Sequence, residues 1–223
     1  MAPLIGSGHD PPVTTAPPAP LPSTGRTEAF SDGVFAIAIT LLVLEIRVPE
    51  DTSELPHALA ELWSSYLAYG VSFLLIGLVW ANHHVMFEHI RVADRLLLFL
   101  NTLLMMNVAF LPFVAAVLAA SFRNGEGQRA AVVLYGGTLV VGGIFFNAIW
   151  EHARRAHRLL GDSIDPAAAR VVARRFALGP VLYLVGTLLG ALVPVLGVVV
   201  FAGLILFYWL PLPSRRGTTA GEG

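Results

Sequence analysis

The chain contains no cysteine and no lysine. The first absence excludes disulfides, thiolate metal sites and a cysteine nucleophile. The second makes arginine the only strongly basic side chain, with 14 in all. Charge of either sign is scarce: 13% of the 223 residues are charged and the net charge is −1, so there is no basic surface to recruit nucleic acid. No G-x-S-x-G, H-E-x-x-H, P-loop or dinucleotide fingerprint occurs. The expectation is a protein that is not an enzyme and has no cofactor or resident metal. No T-V-G-Y-G string is present, which excludes a carbonyl-lined potassium filter of that type. Nor is there an obvious internal repeat, so two halves forming an alternating-access transporter are not indicated.

Apolar residues are abundant instead. They make up 56% of the chain, and the mean hydropathy is +0.71. This composition predicts an all-α integral membrane protein with several spans. Residues 1–23 are rich in Pro, Ala, Ser and Thr and read as a disordered tail. They lack a basic start and an apolar core, so they are not a signal peptide. Six helical spans are expected within a membrane domain at 24–212, at about 27–47, 58–84, 94–121, 129–152, 176–192 and 196–211. Thr24 or Thr27 is the expected N-cap of the first, and Pro112 an expected kink in the third. Residues 213–223 read as a second disordered tail.

Arginine sets the expected orientation. With the N-terminus in the cytoplasm, the inner segments hold Arg26, Arg91, Arg95, Arg154, Arg155, Arg158, Arg170, Arg174, Arg175, Arg215 and Arg216. The outer loops hold only Arg47, Arg123 and Arg129. The bias obeys the positive-inside rule and predicts that both termini are cytoplasmic. The clusters at 154–158 and 170–175 are read as topology determinants outside the spans.

The most informative stretch is Arg26 to Arg47, whose first turns carry Ser31 and Asp32. A carboxylate within a span is costly unless partnered, and so marks function. Numbering from Ile37 at about 100° per residue puts Phe30, Gly33, Leu41 and Leu44 within about 40° and Thr40 at about 60°. Ser31 and Asp32 fall about 120–140° away. One face is thus aliphatic with a single hydroxyl, and the other carries the polar pair. Trp80, Asn82, His83 and His84 end the second span, Asn101 lies two turns into the third, and Asn147 lies near the end of the fourth. At one depth these predict a buried network around Asp32, partnered by Arg26 and by His83 or His84. Glycine pairs at 136–137, 142–143 and 186/190 predict close helix packing.

Other readings stand beside these. The aliphatic stripe could be ordinary bundle packing, and the Thr40 hydroxyl could bond back to its own helix. His84 with His152 or His157 could hold a haem or metal in a membrane redox protein. Asp32 could serve a proton-coupled carrier.

The string Arg26-x-x-x-Phe30-Ser31-Asp32 at the start of a first membrane helix resembles the signature of the transmembrane protein 175 family of cation channels. The resemblance covers roughly residues 24–212. It implies one six-helix unit per chain, a homotetramer in the lipid bilayer as in bacterial members, and an inner-membrane location. It also implies that the first helix lines a central pore whose narrowest ring is aliphatic, a hydrophobic gate. By offset from the motif, Ile37, Thr40, Leu41 and Leu44 are the implied pore-lining positions, with transient potassium near Ile37 and Thr40. The family conducts potassium, and its animal members also pass protons.

Overall fold

The computed structural model describes residues 23–50, 53–160 and 166–209. The tails expected at either end, with Arg215 and Arg216, lie outside this range apart from Ser23. The described chain is helical. α1 spans Gly25–Leu44, α2 Leu55–Glu61, α3 Trp63–His89, α4 Arg95–Asn124, α5 Gln128–Arg155, α6 Pro166–Leu192 and α7 Pro194–Trp209. A single 3-10 turn, His157–Leu159, follows α5.

Among the described residues five helices are long and apolar enough to cross a membrane: α1, α3, α4, α5 and the Arg170–Leu192 part of α6. Over its described residues, Pro194–Trp209, α7 reaches about 24 Å, against roughly 30 Å of hydrocarbon core. The second expected span is split, because α2 ends at Glu61 and α3 restarts at Trp63. The fifth starts earlier than expected. Its first turns, Pro-Ala-Ala-Ala-Arg, place Pro where its missing N–H is harmless and follow it with strong helix formers. Arg170, Arg174 and Arg175 therefore lie within α6, not outside it, and Arg154 and Arg155 belong to the last turn of α5. Both of the latter bond Glu151, at 2.8 Å and 2.6 Å. Pro112 sits buried inside an uninterrupted α4.

α5 packs most extensively on α6 and α4, while α1 lies against α4 and α3. Small residues permit these approaches. A methyl group at Gly136 would collide with Thr187, one at Gly143 with Pro180, and one at Gly190 with Val132. Those close contacts fulfil the expectation from the glycine pairs.

Three distant segments meet where α1 begins. Ser23 pairs with Val92 and Ile90 with Leu160 in isolated antiparallel bridges, and Arg91 N–H donates to the Leu159 carbonyl at 2.9 Å. Thr24 occupies the N-cap position of α1, but its hydroxyl makes no cap; it donates to the Ile90 carbonyl at 3.2 Å. Asp94 caps α4 by accepting from Leu97 N–H at 2.9 Å. Both its oxygens lie 3.0 Å from His152 Nε2, and Arg158 stands 3.6 Å away. Burial pushes this carboxyl up, but the Leu97 bond, His152 and Arg158 outweigh it and hold it below its ordinary value.

Candidate functional site

Two faces of α1 meet different surroundings. Ser31, Phe35, Ala38 and Leu42 recur every three to four residues and are buried against α3 and α4. Phe30, Ile37, Thr40, Leu41 and Leu44 lie on the other side, with Ile37 60% and Leu44 72% exposed. Among the described residues the stripe is therefore left largely uncovered. Thr40 donates its hydroxyl to the Ile37 carbonyl at 2.9 Å.

Beneath the stripe lies a polar chain that crosses three helices. His83 Nε2 bonds Asn101 Oδ1 at 2.9 Å, Asn101 Nδ2 donates to Ser31 Oγ at 3.0 Å, and Ser31 Oγ donates to the Thr27 carbonyl at 2.8 Å. An amide oxygen can only accept, so Nε2 carries the imidazole proton. His83, Asn101 and Ser31 are all buried, and His83 stacks on Phe87 with its ring edge-on to Phe35. Every member has a partner, which is what a low-dielectric site requires.

Asp32 is not the centre of this network. It is exposed, and its Oδ1 accepts from Trp80 Nε1 at 2.9 Å. Trp80 stacks on His84, which lies 3.7 Å from Glu88. Ser31 and Asp32 are about 100° apart on the helix, so one enters the core and the other meets the flank of α3. Arg26 makes no ion pair among the described residues; it lines a cleft of about 350 Å³ with Phe30, Leu98, Asn101 and Thr102. The expected Arg26–Asp32 pairing is thereby corrected: six residues of helix turn the two side chains about 120° apart.

Asn82 and Asn147 are not brought to the network either. Asn82 Nδ2 donates to the Leu78 carbonyl, and Asn147 Nδ2 bonds the Gly143 and Phe176 carbonyls, tying α5 to α6. Both line a separate cavity of about 80 Å³ with Asn107 and Arg175. Sequence reasoning missed Asn107, which bonds the Thr138 carbonyl, and the buried Ser72–Tyr135 pair at 2.9 Å. It also missed the Asp94–His152 pair, although an Asp preceding an apolar helix is an N-cap signal.

The residues named for a haem or metal are engaged apart from one another, His84 with Trp80 and Glu88 and His152 with Asp94. The side chain of His157 lies outside those described. Among the described residues no three metal-ligating side chains cluster.

Comparison with known proteins follows the same residues. The family model described as the endosomal/lysosomal potassium channel TMEM175 matches residues 26–112. A potassium channel of Streptomyces collinus is 42% identical over 198 residues, covering 86% of this chain and 96% of that one. The human endosomal/lysosomal proton channel TMEM175 is 37% identical over 141 residues, covering 59% of this chain but 28% of its own length. Among solved structures, the crystal structure of a lysosomal potassium-selective channel TMEM175 homolog from Chamaesiphon minutus superposes with a TM-score of 0.74. It is 39% identical and covers 83% of this chain and 95% of that chain.

Proposed function

We propose, for a chain that belongs to the TMEM175 family, that it is a potassium-permeable cation channel in which four copies surround one pore. The observation that carries this reading is the uncovered face of α1. A helix sealed on one side by Phe35, Ala38 and Leu42 and bare on the other along Ile37, Thr40, Leu41 and Leu44, in a chain related to potassium channels, fits a pore lining. One stripe cannot enclose a pore, so copies around a shared axis supply the rest.

In this reading Ile37, Leu41 and Leu44 form aliphatic rings and Thr40 a hydroxyl ring. The aliphatic constriction conducts when it is wide enough to stay wet and closes by dewetting. Ser31–Asn101–His83 and Asp32–Trp80 fix the rotation of α1, so that Ile37 faces the axis. The channel unit covers 24–212 and lies in a bacterial inner membrane with both termini cytoplasmic, as the arginine bias supports. Potassium passes without a resident binding group. Proton permeability is a further property suggested by the human relative, an endosomal/lysosomal proton channel. The geometry around His84 lends the redox alternative no support.

The test is a planar-bilayer recording of the purified protein under opposed potassium and sodium gradients. Unitary currents far above carrier turnover, with a reversal potential displaced toward potassium, are expected. Currents without unitary steps would point to the carrier built on Asp32.

A further inference from the structure

A third recess lies at the opposite end of α3 from His83, between the first turns of α3, the last turns of α4 and the start of α7. Its volume is about 140 Å³, and its walls include Trp63, Leu67, Leu118, Phe122 and Val199. Apart from the Trp63 indole N–H, this lining is apolar except at two hydroxyls. That of Tyr135 is committed to Ser72 at 2.9 Å. The other belongs to Ser64, which is 3% exposed and whose Oγ has no hydrogen-bond partner among the described residues.

An unpaired buried hydroxyl is disfavoured, so the occupant has to be one that satisfies it. Water fits badly, because an ordered buried water needs two to four polar partners and in this lining only the Ser64 hydroxyl is both buried and unpaired. A purely apolar filler would leave the hydroxyl unpaired. The wanted occupant is an apolar chain with one hydrogen-bond acceptor at its end.

Depth identifies which chain that is. Trp63, the first residue of α3, is exposed beside Ser64, and tryptophan favours the membrane–water boundary, where the ester groups of phospholipids also lie. The connection from α6 to α7 adds a second reason. No side chain from Leu188 to Phe207 can form a hydrogen bond. The turn closes its own backbone through Val193 N–H to the Leu189 carbonyl and Leu196 N–H to the Val193 carbonyl. Leu192 is nonetheless 71% exposed. Such a turn belongs in hydrocarbon, not in water.

We propose that this recess holds one acyl chain of a diacyl phospholipid, whose ester carbonyl accepts a hydrogen bond from Ser64 Oγ. The site is independent of ion conduction and would exist in a non-conducting mutant.

The test uses the full chain, delipidated and then titrated with diester phosphatidylglycerol or with its diether analogue of identical chain length, bound lipid being counted by native mass spectrometry. The ether lacks the carbonyl and little else. The wild type should bind the diester about fivefold more tightly, the worth of one neutral hydrogen bond. Ser64→Ala should erase that preference, and Val198→Phe, which fills the recess and leaves the hydroxyl intact, should lose one lipid per chain. Equal affinity of the wild type for the two lipids overturns the proposal. So does a preference that survives Ser64→Ala, or an unchanged lipid count in Val198→Phe. Occupation of the recess by a neighbouring copy, seen as cross-linking between cysteines placed at positions 63 and 199 of different chains, overturns it as well.

Discussion

Trp80 Nε1 donates to Asp32 Oδ1 at 2.9 Å across the α1–α3 contact, while the adjacent Ser31 turns inward and accepts from Asn101 at 3.0 Å. Two consecutive residues thus pin α1 to two different helices. Such an arrangement resists rotation of α1 about its own axis better than either bond alone.

The inner bond is the costlier to lose. Asn101→Ala strands His83 Nε2–H and leaves Ser31 without its donor, each a buried group worth about 1–3 kcal/mol when unsatisfied. Ser31→Ala removes one acceptor and should be milder. Thermal unfolding followed by size-exclusion chromatography should rank Asn101→Ala below Ser31→Ala, and Ser31→Ala below wild type. Equal stability of all three would mean that the chain does not hold α1.

The outer bond should behave as an isolated pair. Asp32→Asn keeps an acceptor oxygen for Trp80 and should assemble almost as wild type, whereas Asp32→Ala should lose about 1 kcal/mol. Trp80→Phe should lose a similar amount through the bond, and combining it with Asp32→Ala should add little, since both remove one interaction. Arg26→Ala should leave this cycle unchanged. Full additivity in the cycle would show that the bond contributes nothing.

Pore geometry is tested by substitution along the stripe. Ile37→Asn replaces a branched aliphatic ring with amide groups of similar volume, so unitary conductance should rise and discrimination between potassium and sodium should fall. Thr40→Ala removes only a hydroxyl ring and should shift selectivity with a smaller change in conductance. Ile39, half-buried and about 160° from Ile37, is the control. An effect on reversal potential from Ile39→Asn but none from Ile37→Asn would mean that α1 is rotated from this assignment.

Assembly can be read directly in a chain that lacks cysteine. Cysteine at position 37 or 41 should cross-link between copies under mild oxidation and give a covalent dimer on denaturing gels, since one thiol per copy forms one disulfide. Cross-linking confined to positions on α5 or α7 would reject an axis lined by α1.

Asp94 gives a pH dependence of known sign. Its folded carboxyl is held below the ordinary value of 3.8, so the stabilisation is complete above that value and is lost as pH falls through the folded one. Asp94→Asn should therefore be less stable than wild type at neutral pH, and the gap should close only in acid, below about pH 4. A gap that closes between pH 8 and 6 would assign the effect to another group.

The orientation of α1 was legible in the sequence because an aliphatic stripe and its angular arithmetic do not depend on neighbours. Ile37, Leu41 and Leu44 share an exposed side as that arithmetic requires. Partnership was less legible. Ser31 and Asp32 both lie off the stripe, and only the positions of Asn101 and Trp80 on other helices decide which of them is buried. The extension of α6 back to Pro166 was hidden by its arginines, which mark a membrane boundary but also favour helix. The break at Leu62 carries no Gly or Pro to announce it.

The stitching of Ser23 and Thr24 to residues 90–92 gives α1 the mechanics of a cantilever. Its polar anchors, from Thr24 to Asp32, sit in the first half, and beyond them it leans on its neighbours through apolar contacts that can slide. A tilt about the anchored end moves each later residue in proportion to its distance along the axis. Leu44, about 28 Å from Gly25, swings roughly one and a half times as far as Ile37 at about 18 Å. In the proposed tetramer, four such levers would open as a funnel, widest at the far end, and of the rings from Ile37 to Leu44 that at Ile37 would be the last to yield.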